Sequence, residues 1–306
     1  MIGFALRRFA QAVPITLAVA TLVFSLIHLI PGDPAEVMLG DGARAADIQA
    51  LRERLGLDRP LFAQYQHFLG GLLRGDLGTS LYYERPVTAL LAERFPRTLE
   101  LALAALAVAL LISVPLGLLA ALRQGRWVDR FSRLAALLGV SMPSFWLGPL
   151  LILLFAIRWD LVPVSGRQGV ISLILPAATL GTQVAALLTR MIRTALAAEL
   201  ARPYLRTARA KGLSVFLAVL RHGLRNALLP VITVLGLQFG SLLTGSIITE
   251  TIFSWPGLGS QLIQAIRLRD YPLVLGGVLL IAVTYVAVNF LTDLANAGLD
   301  PRLRSQ

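Results

Sequence analysis

Cysteine is absent from this 306-residue chain. Disulfides, thiolate metal sites and cysteine nucleophiles are thereby excluded together, although nothing follows about compartment. Lysine is nearly absent as well: Lys211 is the only one, and Ala210 precedes it. A P-loop requires Gly-Lys-Ser/Thr, so the chain has no ATP site of that kind. Three histidines, His28, His67 and His222, lie far apart in sequence, a pattern of interfacial or structural histidines more than of a metal centre. Charge is scarce too, at 15% of residues, against about 25% in soluble domains.

What fills the space is apolar. Hydrophobic residues make up 56% of the chain, and six runs reach the roughly 20 residues that cross a bilayer core. They cover approximately 9–30, 98–122, 134–157, 170–192, 228–251 and 272–295. Within lipid the backbone must satisfy itself, so these runs are expected to be helices of an all-α integral membrane protein, a single transmembrane domain over 1–306. Prolines 14, 115, 143 and 176 are expected to kink them. The fourth run is the weakest, with Pro176, Thr182 and Gln183 inside it. The first run follows Arg7 and Arg8 but is too long for a signal-peptide core and ends in Ile30-Pro31-Gly32-Asp33-Pro34, so it reads as a retained helix.

The charges orient the runs. Sixteen of the 28 basic groups, but only four of the 17 acidic ones (Asp129, Glu199, Asp293 and Asp300), fall on the side holding both termini and the 193–227 loop. By the positive-inside rule that side is the cytoplasm. The net charge of +11 therefore reflects membrane topology and implies no nucleic-acid partner.

On the other side, residues 31–97 are too long for a simple connection. Apolar spacing in 51–81 suggests short amphipathic helices, interrupted by Gly56, Pro60 and Gly70-Gly71, with a turn at Gly75-Asp76-Leu77-Gly78. The segment suits either a folded cap on the membrane surface or a platform for an external solute-binding protein. A second outer loop carries Trp255-Pro256-Gly257-Leu258-Gly259. Its Pro-Gly-Leu-Gly forces a non-helical excursion, Phe253 and Trp255 fit an interfacial aromatic belt, and Leu262, Ile263 and Ile266 have helical spacing. It reads as a re-entrant helix or an ordinary interfacial loop.

The cytoplasmic loop is the most specific stretch. Pro203 can start a helix and Gly212 can end it; Arg202, Arg206 and Arg209 occupy neighbouring positions, and a second amphipathic helix runs through Val215, Phe216, Val219 and Leu220 towards Leu229-Pro230. A peg pinned at both ends can move two membrane helices together; a basic loop on lipid headgroups has the same composition. In the fifth run, Gly236, Gly240 and Thr244 recur at four-residue steps beside Ser241 and Gly245, with Gln238 in mid-span. Small residues of this kind serve close helix packing, a polar lining within the bundle, or both.

Arg206-Thr207-Ala208-Arg209-Ala210-Lys211-Gly212, then Arg221-His222, Arg225-Asn226-Ala227 and Leu229-Pro230, resembles the coupling loop of dipeptide/oligopeptide (peptide/nickel) ABC importer permeases. Further matches, in order, are Leu6-Arg7-Arg8, Pro31-Gly32-Asp33-Pro34, Leu55-Gly56-Leu57-Asp58-Arg59-Pro60, Arg74-Gly75-Asp76-Leu77-Gly78, Ile248-Thr249-Glu250-Thr251-Ile252-Phe253, Pro256-Gly257-Leu258-Gly259, Arg269-Asp270-Tyr271-Pro272 and Asp300-Pro301-Arg302. The long segment after the first run resembles the first of the two permeases in such systems. Thr207-Ala208-Arg209 stands where many ABC-importer loops have Glu-Ala-Ala, so no contact is carried over for that glutamate.

The resemblance implies a type I ABC importer permease fold in the bacterial inner membrane, with no catalysis and no cofactor of its own. ATP and magnesium would bind two partner ATPase subunits, a second homologous permease would complete the path, and an extracytoplasmic binding protein would deliver di- or oligopeptides. Ala208 and Gly212 would pack into the ATPase groove, with Arg206, Arg209 and Lys211 around its rim. Dipeptides, longer peptides, glutathione and chelated nickel are all handled by proteins resembling this one. Two other classes would leave different signatures. A secondary transporter or channel would show inverted repeats and paired interior charges, and neither is evident. A membrane enzyme would need a convergent polar set, and Asp33, Glu36 and His28 have no second cluster to complete one.

Overall fold

The computed structural model describes residues 2–29, 33–40 and 42–299. Ile30, Pro31, Gly32, Arg304 and the Asp300-Pro301-Arg302 motif lie outside the described residues. Thirteen α-helices follow in order: α1 (Ile2–Leu29), α2 (Pro34–Leu39), α3 (Ala45–Leu55), α4 (Leu61–Leu73), α5 (Val87–Leu122), α6 (Trp127–Ser141), α7 (Ser144–Leu151), α8 (Ile174–Leu200), α9 (Pro203–Ala210), α10 (Val215–Ala218), α11 (Leu224–Ile252), α12 (Leu258–Arg267) and α13 (Tyr271–Leu299). π-Helical stretches continue α7 over Ile152–Arg158 and join α10 to α11 over Val219–Gly223. Among the described residues, five helices, or six if a bent pair is one span, are long and apolar enough to cross a membrane.

The bent pair goes further than the local kink expected at Pro143 within a single span over 134–157. α6 and α7 meet at 102°. Met142 is extended (φ −84°, ψ 114°), and Pro143 after it has no N–H to continue the ladder. The freed Met142 carbonyl accepts a hydrogen bond from Gln183 Nε2 at 2.8 Å. The polar residue that weakened the fourth run thus satisfies the break in the third. Pro14, Pro115 and Pro230 sit inside continuous helices, and Pro176 lies in the first turn of α8.

The described residues fall into two compact units. The first holds residues 98–255 with 2–5 and 288–299. Its core centres on α8, 61% of whose apolar window is buried. Leu188 and Ile192 of α8 pack with Leu101 and Ala105 of α5 and with Val231 and Leu243 of α11. Phe253 and Trp255, expected in an interfacial belt, are both buried here (2% and 1% exposed). Phe253 joins Ala156 and Leu175, and its carbonyl accepts from Gly166 N at 2.8 Å. The chain turns at Ser254, in the left-handed region (φ 49°), and not at the glycines.

The second unit holds the described residues 6–29, 33–40, 42–97 and 256–287. Gly257 caps α12 in an extended conformation and Gly259 lies buried inside that helix. Leu258, Leu262 and Ala265 of α12 pack on Val87, Leu90 and Leu91 of α5 and Leu273 of α13. The short amphipathic helices between the first two long ones are present, with Gly56 ending α3 and Pro60 preceding α4, whereas Gly70-Gly71 lie inside α4. Asp76 Oδ1 accepts from Gly78 N at 2.8 Å and shapes the expected turn. Asp270 is wholly buried; it accepts from the Ser80 hydroxyl and from the backbone N–H of Leu81 at 3.2 Å, tying the 79–86 hairpin to the start of α13.

Candidate functional site: the 203–223 hairpin and the α11 face

Pro203 occupies the first turn of α9, where a missing N–H is free. The helix turns Leu205 and Ala208 inwards against Ala218 and Leu213. Lys211 N donates to Thr207 O at 3.1 Å, Gly212 N to Arg209 O at 3.0 Å and Leu213 N to Ala208 O at 3.3 Å, closing the helix end. Gly212 makes this turn in the left-handed region (φ 91°), which any L side chain would resist. The Ser214 hydroxyl then caps α10 by accepting from Leu217 N at 3.3 Å.

Two networks hold the hairpin. The Tyr204 hydroxyl donates to the Glu199 carboxylate and accepts from Asn226 Nδ2 at 3.2 Å, joining the end of α8, the start of α9 and the start of α11. Burial pushes the Tyr204 phenol up, and its bond to Glu199 adds to the effect. Upstream, Asp129 at the start of α6 is 1% exposed. Its Oδ1 takes Arg193 Nε at 2.6 Å, and its Oδ2 takes Arg193 Nη2 at 3.0 Å and Gly125 N at 2.9 Å. This bidentate pair fastens α6 to α8, the helix that feeds the hairpin.

The expected contact residues divide. Arg206, Arg209, Lys211 and Gly212 are exposed. Ala208, at 9% exposure, belongs to the hairpin's own small core, where its size sets the spacing of the two helices. Phe216, Leu217 and Leu220 take the outward place (50%, 47% and 40% exposed), and Val219 is buried. The result is an apolar knob beside three cations, with Arg221, His222 and Arg225 exposed as well. Pro230 does not begin the following helix, because the helical path runs almost unbroken from Val215 to Ile252.

The α11 residues divide similarly. Gly236 and Gly240 are buried. A Cβ on Gly236 would stand 1.9 Å from Thr292 Oγ1, so this glycine permits contact with α13. Gln238 is half-buried, while Ser241 and Thr244 are exposed, sharing an open face with Leu237 and Ile248. At the end of that helix the buried Glu250 accepts from Thr98 Oγ1 at 2.7 Å and Ser246 Oγ at 3.0 Å. The partnerships of Asp129 and Glu250 join residues 64 and 152 positions apart, beyond the reach of local sequence pattern. The crowding of arginines around the lone Asp129 was the available hint.

Comparison with known proteins covers both halves of the chain. Residues 113–305 match the family described as binding-protein-dependent transport system inner membrane component, and residues 1–102 match its N-terminal counterpart. The dipeptide transport system permease protein DppB of Escherichia coli (strain K12) is 42% identical over 99% of each chain. The glutathione transport system permease protein GsiC of Pectobacterium atrosepticum is 43% identical, again over 99% of each. Among solved structures, the inward-facing MetNI methionine ABC transporter matches with a TM-score of 0.56 at 19% identity, covering 69% of this chain and 96% of that one. An amino acid ABC transporter with histidines matches with a TM-score of 0.51 at 18% identity, covering 70% and 94%. The likeness to these two structures is one of fold.

Proposed function

From membership of the binding-protein-dependent transport system inner membrane component family, to which this chain belongs, we propose that it forms half of a translocation path for di- or oligopeptides and that its 203–223 hairpin receives the ATPase. The family makes it a multi-pass inner-membrane permease with the type I ABC importer fold, non-catalytic, working with ATPase and binding-protein partners. The finer reading adds a second homologous permease, two ATPase subunits, both termini and the hairpin in the cytoplasm, and residues 31–97 outside as the landing surface for the binding protein. Relatives named for dipeptides and for glutathione, itself a short peptide, support a cargo with a peptide backbone.

The observation that carries the reading is the hairpin. Exposed Phe216, Leu217 and Leu220 beside unscreened Arg206, Arg209 and Lys211 make a compact plug for an apolar groove with an acidic rim. Glu199, Tyr204 and Asn226 bind it to two long helices, so a push on the plug is delivered to both. The exposed Ser241–Thr244 face of α11 is the stretch assigned to the path.

Affinity capture of the tagged chain from native membranes tests this. Recovery of a second permease and of Walker-motif ATPases is expected, and Gly212→Arg is expected to remove transport-linked ATPase activity while the chain still inserts. Recovery of the chain only as a self-assembly, or normal transport by Gly212→Arg, would overturn it.

A further inference from the structure

The second compact unit contains a cavity of about 500 Å³ to which the transport reading gives no ligand. Its position follows from the helices that line it. Phe24 and His28 come from the last turns of α1, and Leu275 and Leu279 from the first turns of α13. These helices are candidate membrane spans, and only 11% of the apolar window of α1 is buried within the chain. The floor of the cavity is therefore built from the ends of two candidate spans. Phe24 and Phe68 build an aromatic wall there, their ring centroids 5.6 Å apart, and Ala20, Val23 and Leu279 close the packing behind it.

The rim lies beyond the ends of both spans and is of a different chemistry. It carries two cations, Arg54 and Arg59, and two carboxylates, Glu53 and Asp76, all four exposed. Neither guanidinium has a hydrogen-bonding or ionic partner among the described residues. The carboxylates keep acceptor capacity, because Glu53 Oε1 takes only Gln49 Nε2 (2.9 Å) and Asp76 Oδ1 only Gly78 N (2.8 Å). Between rim and floor, His28 Nε2 lies 3.0 Å from Gln64 Oε1, while Gln64 Nε2 donates to Arg59 O at 2.7 Å. That amide is locked by its own bonds and holds the wall between α1 and α4 in place.

An apolar floor at the ends of two candidate spans, under a rim with charges of both signs, is the complement of a zwitterionic amphiphile. We propose that this cavity binds one zwitterionic phospholipid of the adjoining leaflet. Arg54 and Arg59 hold its phosphate, Glu53 and Asp76 face its ammonium group, and an acyl chain starts down the wall of Phe24, Phe68 and Leu279. The volume lies within the range of small-ligand sites, roughly 300–1,000 Å³, and holds a headgroup with the upper part of a chain. A lipid neighbour is present at saturating concentration, so α1 and the 34–73 helices are bridged by it whenever the protein is in the membrane.

The test is native mass spectrometry of the full chain, delipidated in mild detergent and given phosphatidylethanolamine, phosphatidylglycerol or the dipeptide leucyl-leucine. One phosphatidylethanolamine is expected to be retained. Arg54→Gln/Arg59→Gln, which touches only exposed side chains, is expected to lower its occupancy roughly tenfold or more with unchanged helix content. Leu279→Trp, which fills the floor, is expected to do the same with the rim intact. Equal retention by both variants, equal retention of phosphatidylglycerol, or displacement of the lipid by leucyl-leucine would each overturn the assignment. Peptide import by the rim variant is read separately, since failure of the lipid site leaves the permease reading intact.

Discussion

Single side chains in this protein are held by partners far away in sequence, and two such partnerships make measurable demands. Asp129 is a nearly inaccessible carboxylate whose two oxygens are both engaged by Arg193. Arg193→Ala leaves that charge only the more exposed Arg133 at 3.5 Å and the Gly125 N–H, and under-satisfying a buried acceptor in this way costs about 1–3 kcal/mol. A lowered thermal midpoint of the purified chain, partly restored by adding Asp129→Asn, is the expected result. The second pair lies outside the spans. The Arg52 guanidinium holds the Asp33 carboxyl below the usual carboxylate range, while Asp33 also caps α2 by accepting from Ala35 N at 3.1 Å. A group whose value is lowered by folding contributes stability at neutral pH and loses it as the pH falls through the lowered value. Amide exchange over 33–55 is therefore expected to accelerate on acidification below the ordinary carboxylate range. Asp33→Asn should flatten that dependence.

At the scale of elements, glycine position separates packing from open surface along one helix. Gly236→Ala would drive a methyl group into Thr292, and overpacking of this kind costs about 1–3 kcal/mol. Gly245→Ala, nine positions on, meets nothing within 4 Å and is expected to be neutral or slightly stabilising, since alanine is the better helix former. Unfolding of the two variants in the same detergent compares them directly. The pattern of four-residue steps in the sequence identified small residues but not their separate duties, because periodicity ranks faces without saying what stands opposite. Ala208 teaches the same lesson: its place in the coupling motif was legible, yet its inward direction depends on Ala218, which lies across the Gly212 turn. Long apolar runs, by contrast, located α5, α8, α11 and α13 well, since burial in lipid or protein needs nothing but hydropathy. The fracture between α6 and α7 could not be read from proline alone, as Pro14, Pro115 and Pro230 leave their helices unbroken. What distinguishes Pro143 is the amide of Gln183 waiting for the exposed carbonyl.

For the whole molecule, the lack of cysteine becomes an experimental advantage. In the assembled importer, Ser241→Cys and Thr244→Cys are expected to react with a small membrane-impermeant thiol reagent, because both positions lie on the open face of α11. Ser246→Cys, replacing a wholly buried hydroxyl, is expected to stay unlabelled. Labelling of all three alike would remove α11 from the path. The nearly unbroken run from Val215 to Ile252 has a further consequence, for rotation as well as push. Its α11 part, 29 residues, is about 44 Å long at 1.5 Å per residue, and its angular phase is set residue by residue. One alanine inserted after Gly223 would turn the hairpin by about 100° relative to the α11 face, whereas four inserted alanines would return it to within about 40° of its starting phase. Transport that fails with the single insertion and recovers in part with the fourfold one would show that the hairpin and the path are read off the same screw.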